Sequence, residues 1–240
     1  MSIELIGVTA GYVPGVDILN GLDMRAERGE IVTVVGPNGS GKSTSLKAAA
    51  GYLLPRKGEV RIEGKDVGSI PVDKRVREYS IAIVPQSDNV FGALSVWENL
   101  NLGGTFMKAN DRNRRIDELA ERYPLLRRKM YERAFTLSGG ERQILAIARA
   151  LMPSPNYLLL DEPSAGLSPT MLSEVFEAIV HLVQQTNIGV LLVEQNAVQA
   201  LEISDRAYVL VLGKSNLTGT AKELLSNPRV RDLYLGGELH

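Results

Sequence analysis

Nine residues, GPNGSGKST at positions 36–44, join a pliant backbone to one cation and a pair of adjacent hydroxyls. The spacing matches the G-x-x-x-x-G-K-[ST] pattern from Gly36 to Ser43. Gly36, Gly39 and Gly41 let the backbone curl around Pro37, Asn38 and Ser40, so that loop N–H groups point inward. Those groups and the start of the following helix form an anion nest. In that arrangement Lys42 reaches the β- and γ-phosphates of a nucleoside triphosphate and Ser43 offers its hydroxyl to Mg²⁺. Thr44 supports the α-phosphate. A second stretch, YLLLDEP at 157–163, holds four mostly apolar residues in the interior and releases two carboxylates at its end. Asp161 is placed to hold Mg²⁺ through water. Glu162 can polarise the water that attacks the γ-phosphate, as a general base. Alone, such a pair also describes a solvent-exposed strand end; the phosphate loop in the same chain favours chemistry. Gln86 ends another short strand, where it could touch Mg²⁺ or the attacking water, or simply form a turn. Tyr12 could stack on adenine, or be an ordinary surface or core tyrosine.

These residues need a scaffold, and the hydrophobic pattern supplies one. SIELIGVTAGY and VDILNGLDMRAERG read as strands, the second ending at a turn around Gly29. EIVTVVG is a short β-branched run, a buried strand that leads straight into the phosphate loop. A helix is predicted from about Lys42, then strands at GEVRIEG and SIAIVP. After Pro85 the texture changes. Ser95, three residues before Glu98, predicts a capping box, and the chain reads as helical to about residue 152. Its basic run RNRRIDELAERYPLLRRKMYERA suits a solvated helix face. NYLLLDEP and IGVLLVEQN are strands, and between them Leu172, Val175, Phe176, Ile179, Leu182 and Val183 form one apolar stripe on a helix. AVQALEISD predicts a further short helix, RAYVLVLG a strand, and TAKELLSNPRVRDLYLGG a helix, turn and helix. The alternation predicts an α/β fold with a mostly parallel core sheet. Residues 1–240 form a single domain: a core lobe from 1–90 and 153–240, and an inserted helical part at 91–152.

Composition sets outer limits. The 240 residues carry 27 basic and 28 acidic side chains, a formal net charge of -1, so nothing global draws the chain to nucleic acid or an anionic membrane. There is no cysteine, hence no disulfide and no thiolate metal site. A zinc site would have to use His181, His240 and carboxylates. No signal peptide and no membrane span are legible. The expected location is the cytoplasm, with docking on a membrane protein still open.

Residues 138–142, SGGER, start a helix with two glycines, the residues that most weaken one. In order along the chain, GPNGSGKST, Gln86, LSGGERQ (137–143), LLLDEP and SAGLSP (164–169) resemble the ATP-binding subunits of ABC transporters over nearly the whole length. LSGGERQ is the most diagnostic part. The resemblance implies a P-loop ATPase that also has an N-terminal antiparallel β region, uses ATP and Mg²⁺, and pairs head to tail with a second ATPase subunit, identical or related. The signature of one subunit then closes over ATP held by the other. Gly139 and Gly140 permit close approach, Ser138 adds a hydroxyl, and the helix points its positive end at the γ-phosphate. By the same resemblance Tyr12 stacks on adenine, Gln86 and Asp161 serve the metal, Gln86 senses the transmembrane partner, and Glu162 is the catalytic base. Residues Ser164 to Leu167 lie at the subunit boundary. The usual switch histidine is replaced by Gln195, which can donate a hydrogen bond but cannot become cationic.

LLVEQNA and the terminal VRDLYLGG look like an ATPase of the branched-chain amino acid importers, close to urea or short-chain amide importers. That group often has glutamate where this chain has Gln86. The resemblance implies transmembrane permease subunits and, indirectly, an extracytoplasmic solute-binding protein, with the ATPase at the inner face of the cell membrane. Other readings are an ABC export ATPase, a weakly hydrolysing regulatory subunit, and a non-transport ABC module. The last usually carries two cassettes or long arms, which this chain lacks.

Overall fold

The structure is a computed structural model that describes residues 1–87, 89–228 and 230. Strands β1 (Ser2–Ala10), β2 (Leu19–Glu27), β4 (Lys57–Ile62) and β5 (Lys65–Asp66) form an antiparallel sheet in the order β2-β1-β4-β5. The second sheet has six strands in the order β10-β9-β3-β8-β7-β6. Its members are β3 (Ile31–Val35), β6 (Ile81–Val84), β7 (Tyr157–Asp161), β8 (Gly189–Val193), β9 (Arg206–Val211) and β10 (Lys214–Thr220). All its pairings are parallel except β10 with β9. The expected mostly parallel core and antiparallel N-terminal region are both present.

Helix α1 (Lys42–Ala50) follows the phosphate loop, and α2 (Val72–Glu78) precedes β6. Sequence periodicity leaves α2 unassigned, because it is short and carries mixed charges. Between β6 and β7 come α3 (Val96–Gly103), α4 (Ala109–Arg122), α5 (Pro124–Arg128) and α6 (Gly139–Leu151). No strand intervenes there among the described residues. Ser95 caps α3 as its spacing predicts: its Oγ accepts from Glu98 N, and Glu98 accepts from Ser95 N. Helix α7 (Pro169–Thr186) buries Leu172, Val175, Phe176, Ile179, Leu182 and Val183, the full predicted stripe. Helices α8 (Ala197–Glu202) and α9 (Ala221–Ser226) complete the described elements. Most of the predicted final helix, VRDLYLGG, and His240 lie outside the described residues.

Successive residues of a strand face opposite sides of the sheet. On β7, Leu158 and Leu160 join a core with α6 and α7, whereas Tyr157 and Leu159 join a core with α1 and the antiparallel sheet. Both faces are covered, which explains a wholly buried, continuously apolar strand. The same parity sends Asp161, at the end of β7, to the α1 side.

Arg75 on α2 fixes the far end of α1. Its guanidinium is fully buried and donates to Ala48 O at 2.8 Å, Ala49 O at 2.9 Å and Ile70 O at 2.7 Å. A cation at a helix C-terminus satisfies its orphan carbonyls and opposes the negative end of the dipole. Burial pushes this guanidinium down to about 10. Arg75→Ala removes the donor shared by these carbonyls, leaving Ala48 O only its bond from Gly51 N at 3.3 Å, so chemical denaturation is expected to show a loss of about 2–4 kcal/mol.

Candidate functional site

The phosphate loop joins β3 to α1 at the carboxyl edge of the six-stranded sheet. Gly41 has φ 102°, a left-handed conformation that favours glycine and lets the loop turn directly into α1. Pro37, Asn38 and Gly39 are exposed, while Ser40, Lys42 and Thr44 are buried. Ser40 Oγ has no hydrogen-bond partner despite its burial. Lys42 Nζ curls back to donate to Gly36 O at 2.9 Å and Pro37 O at 3.3 Å. Burial lowers the Lys42 ammonium, against the charges of Glu162, Asp161 and Glu194, which raise it.

The acidic strand end meets this loop. Ser43 Oγ donates to Asp161 Oδ1 at 2.8 Å. Glu162 occupies the left-handed region with φ 46°. For a non-glycine residue that conformation costs of order 1–3 kcal/mol and persists only where surrounding contacts hold it. One contact is Glu162 N donating to Val193 O at 2.8 Å. The turn brings Glu162 Oε2 to Gln86, whose Nε2 donates to it at 2.7 Å. Four residues from three separate stretches of the chain, Ser43, Gln86 and the adjacent Asp161 and Glu162, thus converge beside the loop. Gln195 is exposed just past β8, the strand between β3 and β7. Tyr12 is half-exposed after β1, with Lys47 Nζ 5.6 Å from its ring centroid.

Burial holds the Asp161 carboxyl above its ordinary range, opposed by the Ser43 hydrogen bond and by Lys47 and Lys42. The folded protein therefore keeps this proton to higher pH than the unfolded chain. Its contribution to stability falls as pH rises from the ordinary carboxylate range through the raised value. Asp161→Asn is expected to raise the thermal midpoint of nucleotide-free protein at neutral pH, with each gain of about 1 kcal/mol worth roughly 2–4 °C at this size. The variant also flattens the decline of the midpoint from mildly acidic to neutral pH.

The two signature glycines lie at the start of α6, capped by Ser138. Glu141 N donates to Ser138 Oγ at 3.3 Å, and Ser138 N donates to Glu141 Oε2 at 2.8 Å. Lys129 holds Glu141 through a contact of 2.8 Å. The cap uses Ser138 Oγ as an acceptor, and its O–H donates toward the Glu141 carboxylate, which Lys129 and, to a lesser extent, Ser138 hold low. A Cβ on Gly139 would stand 3.0 Å from Leu167 Cδ2, and one on Gly140 3.0 Å from Met171 Cβ. Packing inside the chain is therefore one reason for small residues here, beside any approach from outside. Of the SAGLSP loop, Ala165 and Gly166 are exposed, but Ser164 is buried against Glu194. Glu194 escapes the sequence reading, although LLVE at 191–194 repeats the pattern of LLLD at 158–161: an apolar strand ending in a carboxylate.

A hard cation suits the donor set of Ser43 hydroxyl, Asp161 carboxylate and Gln86 amide oxygen. Among the described residues no group of three or more His, Cys, Asp or Glu could cage a metal alone. No helix among them is long and apolar enough to cross a membrane.

The family model described as ABC transporter matches residues 19–165. The chain is 45% identical over 226 residues to the high-affinity branched-chain amino acid transport ATP-binding protein BraG of Pseudomonas aeruginosa, covering 94% of this chain and 96% of that one. It is 42% identical over 234 residues to the probable branched-chain amino acid transport ATP-binding protein LivF of Archaeoglobus fulgidus, covering 98% of each. A solved ATP-binding cassette of an ABC transporter in its ADP conformation matches with TM-score 0.88 at 26% identity, over 98% of this chain and 99% of that one. With its phosphate loop, acidic strand and signature helix on one cassette fold, the chain belongs to the ABC transporter family as an ATP-hydrolysing member.

Proposed function

We propose that the chain powers import of branched-chain amino acids through a membrane permease, by hydrolysing ATP at a site shared between two cassettes. The observation that carries the chemistry is the convergence of Ser43, Asp161, Glu162 and Gln86 beside the phosphate loop. Loop N–H groups and Lys42 bind the β- and γ-phosphates, with Ser40 and Thr44 on the loop wall and Tyr12 stacked on adenine. Mg²⁺, held by Ser43, Asp161 and Gln86, would neutralise phosphate charge. Glu162 accepts a proton from the attacking water, and Gln86 fixes its carboxylate orientation. Gln195 donates a neutral hydrogen bond to the γ-phosphate.

A second cassette, identical or related, supplies its own Ser138, Gly139 and Gly140. The O–H of Ser138, exchanging Glu141 for phosphate, and the first N–H groups of α6 then face the γ-phosphate and stabilise charge as it develops there. Ala165 and Gly166 meet the partner at the same boundary.

The core lobe, residues 1–90 and 153–240, holds nucleotide; residues 91–152 form a helical lobe that moves on closure. The segment after Gln86 transmits that movement. Phe91 is half-exposed, with the Arg149 guanidinium 5.0 Å from its ring, and Arg149 Nη1 is buried without a partner. Nearby, a groove of about 380 Å³ is lined by Val76, Arg77, Phe106, Met107, Pro153 and Pro155. An apolar permease segment at the inner face of the membrane fits this lining. The names of the BraG and LivF relatives support the solute class. A solute-binding protein on the other side delivers it.

The chain reconstituted in vesicles with its permease tests the proposal. Binding protein loaded with leucine, isoleucine or valine is expected to stimulate ATP hydrolysis and uptake of labelled amino acid. Equal hydrolysis with loaded and empty binding protein, and no uptake, would overturn it.

A further inference from the structure

We infer that Glu194 is a positioning residue for hydrolysis: its carboxylate clamps the loop after Glu162 to the end of β8 and so fixes both Glu162 and Gln195. Glu194 is 1% exposed. Its carboxylate takes Ser164 N at 2.9 Å, Ser164 Oγ at 2.8 Å and Gln195 N at 3.2 Å. Its own N–H donates to Val34 O at 3.2 Å, which anchors it to the strand that carries the phosphate loop. One residue, through its carboxylate and its own N–H, therefore ties together three segments that the reaction needs in register.

The geometry next door explains the need for a clamp. Glu162 is held in the left-handed region, and Ala165 N closes a turn back onto Glu162 O at 3.1 Å. Ser164 sits inside that turn. Anchoring Ser164 at two atoms stops the turn from relaxing toward ordinary strand geometry, which would swing Glu162 to the opposite face. A carboxylate is suited to this position because it is acceptor-only: all three groups that face it are N–H or O–H donors. The burial of an acid whose charge is opposed by that of Glu162 weakens stability, and a stability role alone does not explain its presence. No hydrogen bond joins Ser43, Gln86 or Lys42 to this clamp, but the Glu194 charge acts on Lys42, so a substitution at Ser164, which removes no charge, best separates water activation from nucleotide binding.

The inference rests on Glu162 as the base, and Glu162→Gln is measured in parallel. In the full chain, Glu194→Gln sets an amide N–H₂ against donors. It is expected to lower kcat about ten- to a hundredfold, with a smaller shift in affinity for a fluorescent ATP analogue because the lost charge also acts on Lys42. Ser164→Ala removes a hydroxyl and no charge, and should lower kcat about three- to tenfold while that affinity changes less than about twofold. The double variant should be no slower than Glu194→Gln alone, because both act through one contact. Wild-type kcat in Ser164→Ala and Glu194→Gln, with Glu162→Gln inactive, would overturn the clamp and leave the base intact. So would losses of affinity and thermal stability in Ser164→Ala that match its loss of kcat. Normal hydrolysis by Glu162→Gln would instead overturn the base assignment itself.

Discussion

Glu162→Gln is expected to bind ATP like the unmodified chain and to hydrolyse it about 10²–10⁴-fold more slowly, the usual contribution of a positioned general base. The substitution keeps size and hydrogen-bonding shape but removes the ability to take a proton from water. The side chain lies outside the loop that holds phosphate, so affinity is spared. Gln86 already donates to Glu162 at 2.7 Å, and an amide at position 162 can still accept that bond through its oxygen. Local structure should therefore persist. Fewer like charges beside the phosphates would also favour the closed pair of cassettes. Single-turnover hydrolysis beside equilibrium binding of an ATP analogue separates the two effects. A variant that hydrolyses ATP at the normal rate would remove Glu162 from the chemistry.

Lys42→Ala should weaken ATP affinity by about 10- to 100-fold, since charge-assisted hydrogen bonds contribute roughly 1.5–3 kcal/mol. Lys42 is the buried cation among Asp161, Glu162 and Glu194, each of which acts on its charge. Without it, the incoming phosphates meet three carboxylates with less compensation. In the nucleotide-free chain its ammonium spans Gly36 O and Pro37 O, so binding exchanges those acceptors for phosphate oxygens. ATP should lose more than AMP, which lacks the β- and γ-phosphates. Titration with both nucleotides, with circular dichroism as a check on folding, measures the difference. Unchanged ATP affinity would contradict the phosphate-loop role.

Much of this site is legible in the sequence because it depends on local chemistry. The loop needs glycine at a left-handed position and a following helix, both written in GPNGSGKST. Ser95 and Glu98 announce a helix start three residues apart. The stripe on α7 reports burial through its period. Other features depend on contacts that no local pattern records. Strand parity sends Asp161 toward Ser43 but would send Glu162 away from it; only the turn at φ 46° recovers that carboxylate. Arg75 looks like any charge on a short helix until the end of α1 is seen beside it. Strand β10 alternates between exposed and half-buried residues with Leu217 as its one large apolar side chain, so it gives little apolar signal, and among the described residues β9 alone pairs with it. Glu194 has a legible position, but its partner Ser164 lies 30 residues away across another strand.

The shared site can be tested by a disulfide, because the chain has no cysteine of its own. Asn38→Cys places a thiol on the exposed phosphate loop, and Ser138→Cys places one at the signature helix. Each is made separately in the Glu162→Gln background, and the two proteins are mixed with ATP and Mg²⁺ under mild oxidation. A bond forms only where the two Cα atoms approach to about 4.4–6.8 Å. The expected product is a covalent pair joining one Asn38→Cys chain to one Ser138→Cys chain, dependent on ATP. An Asn38→Cys/Ser138→Cys double variant that closes a disulfide within one chain, with no covalent pair in the mixture, would contradict a site shared between two cassettes.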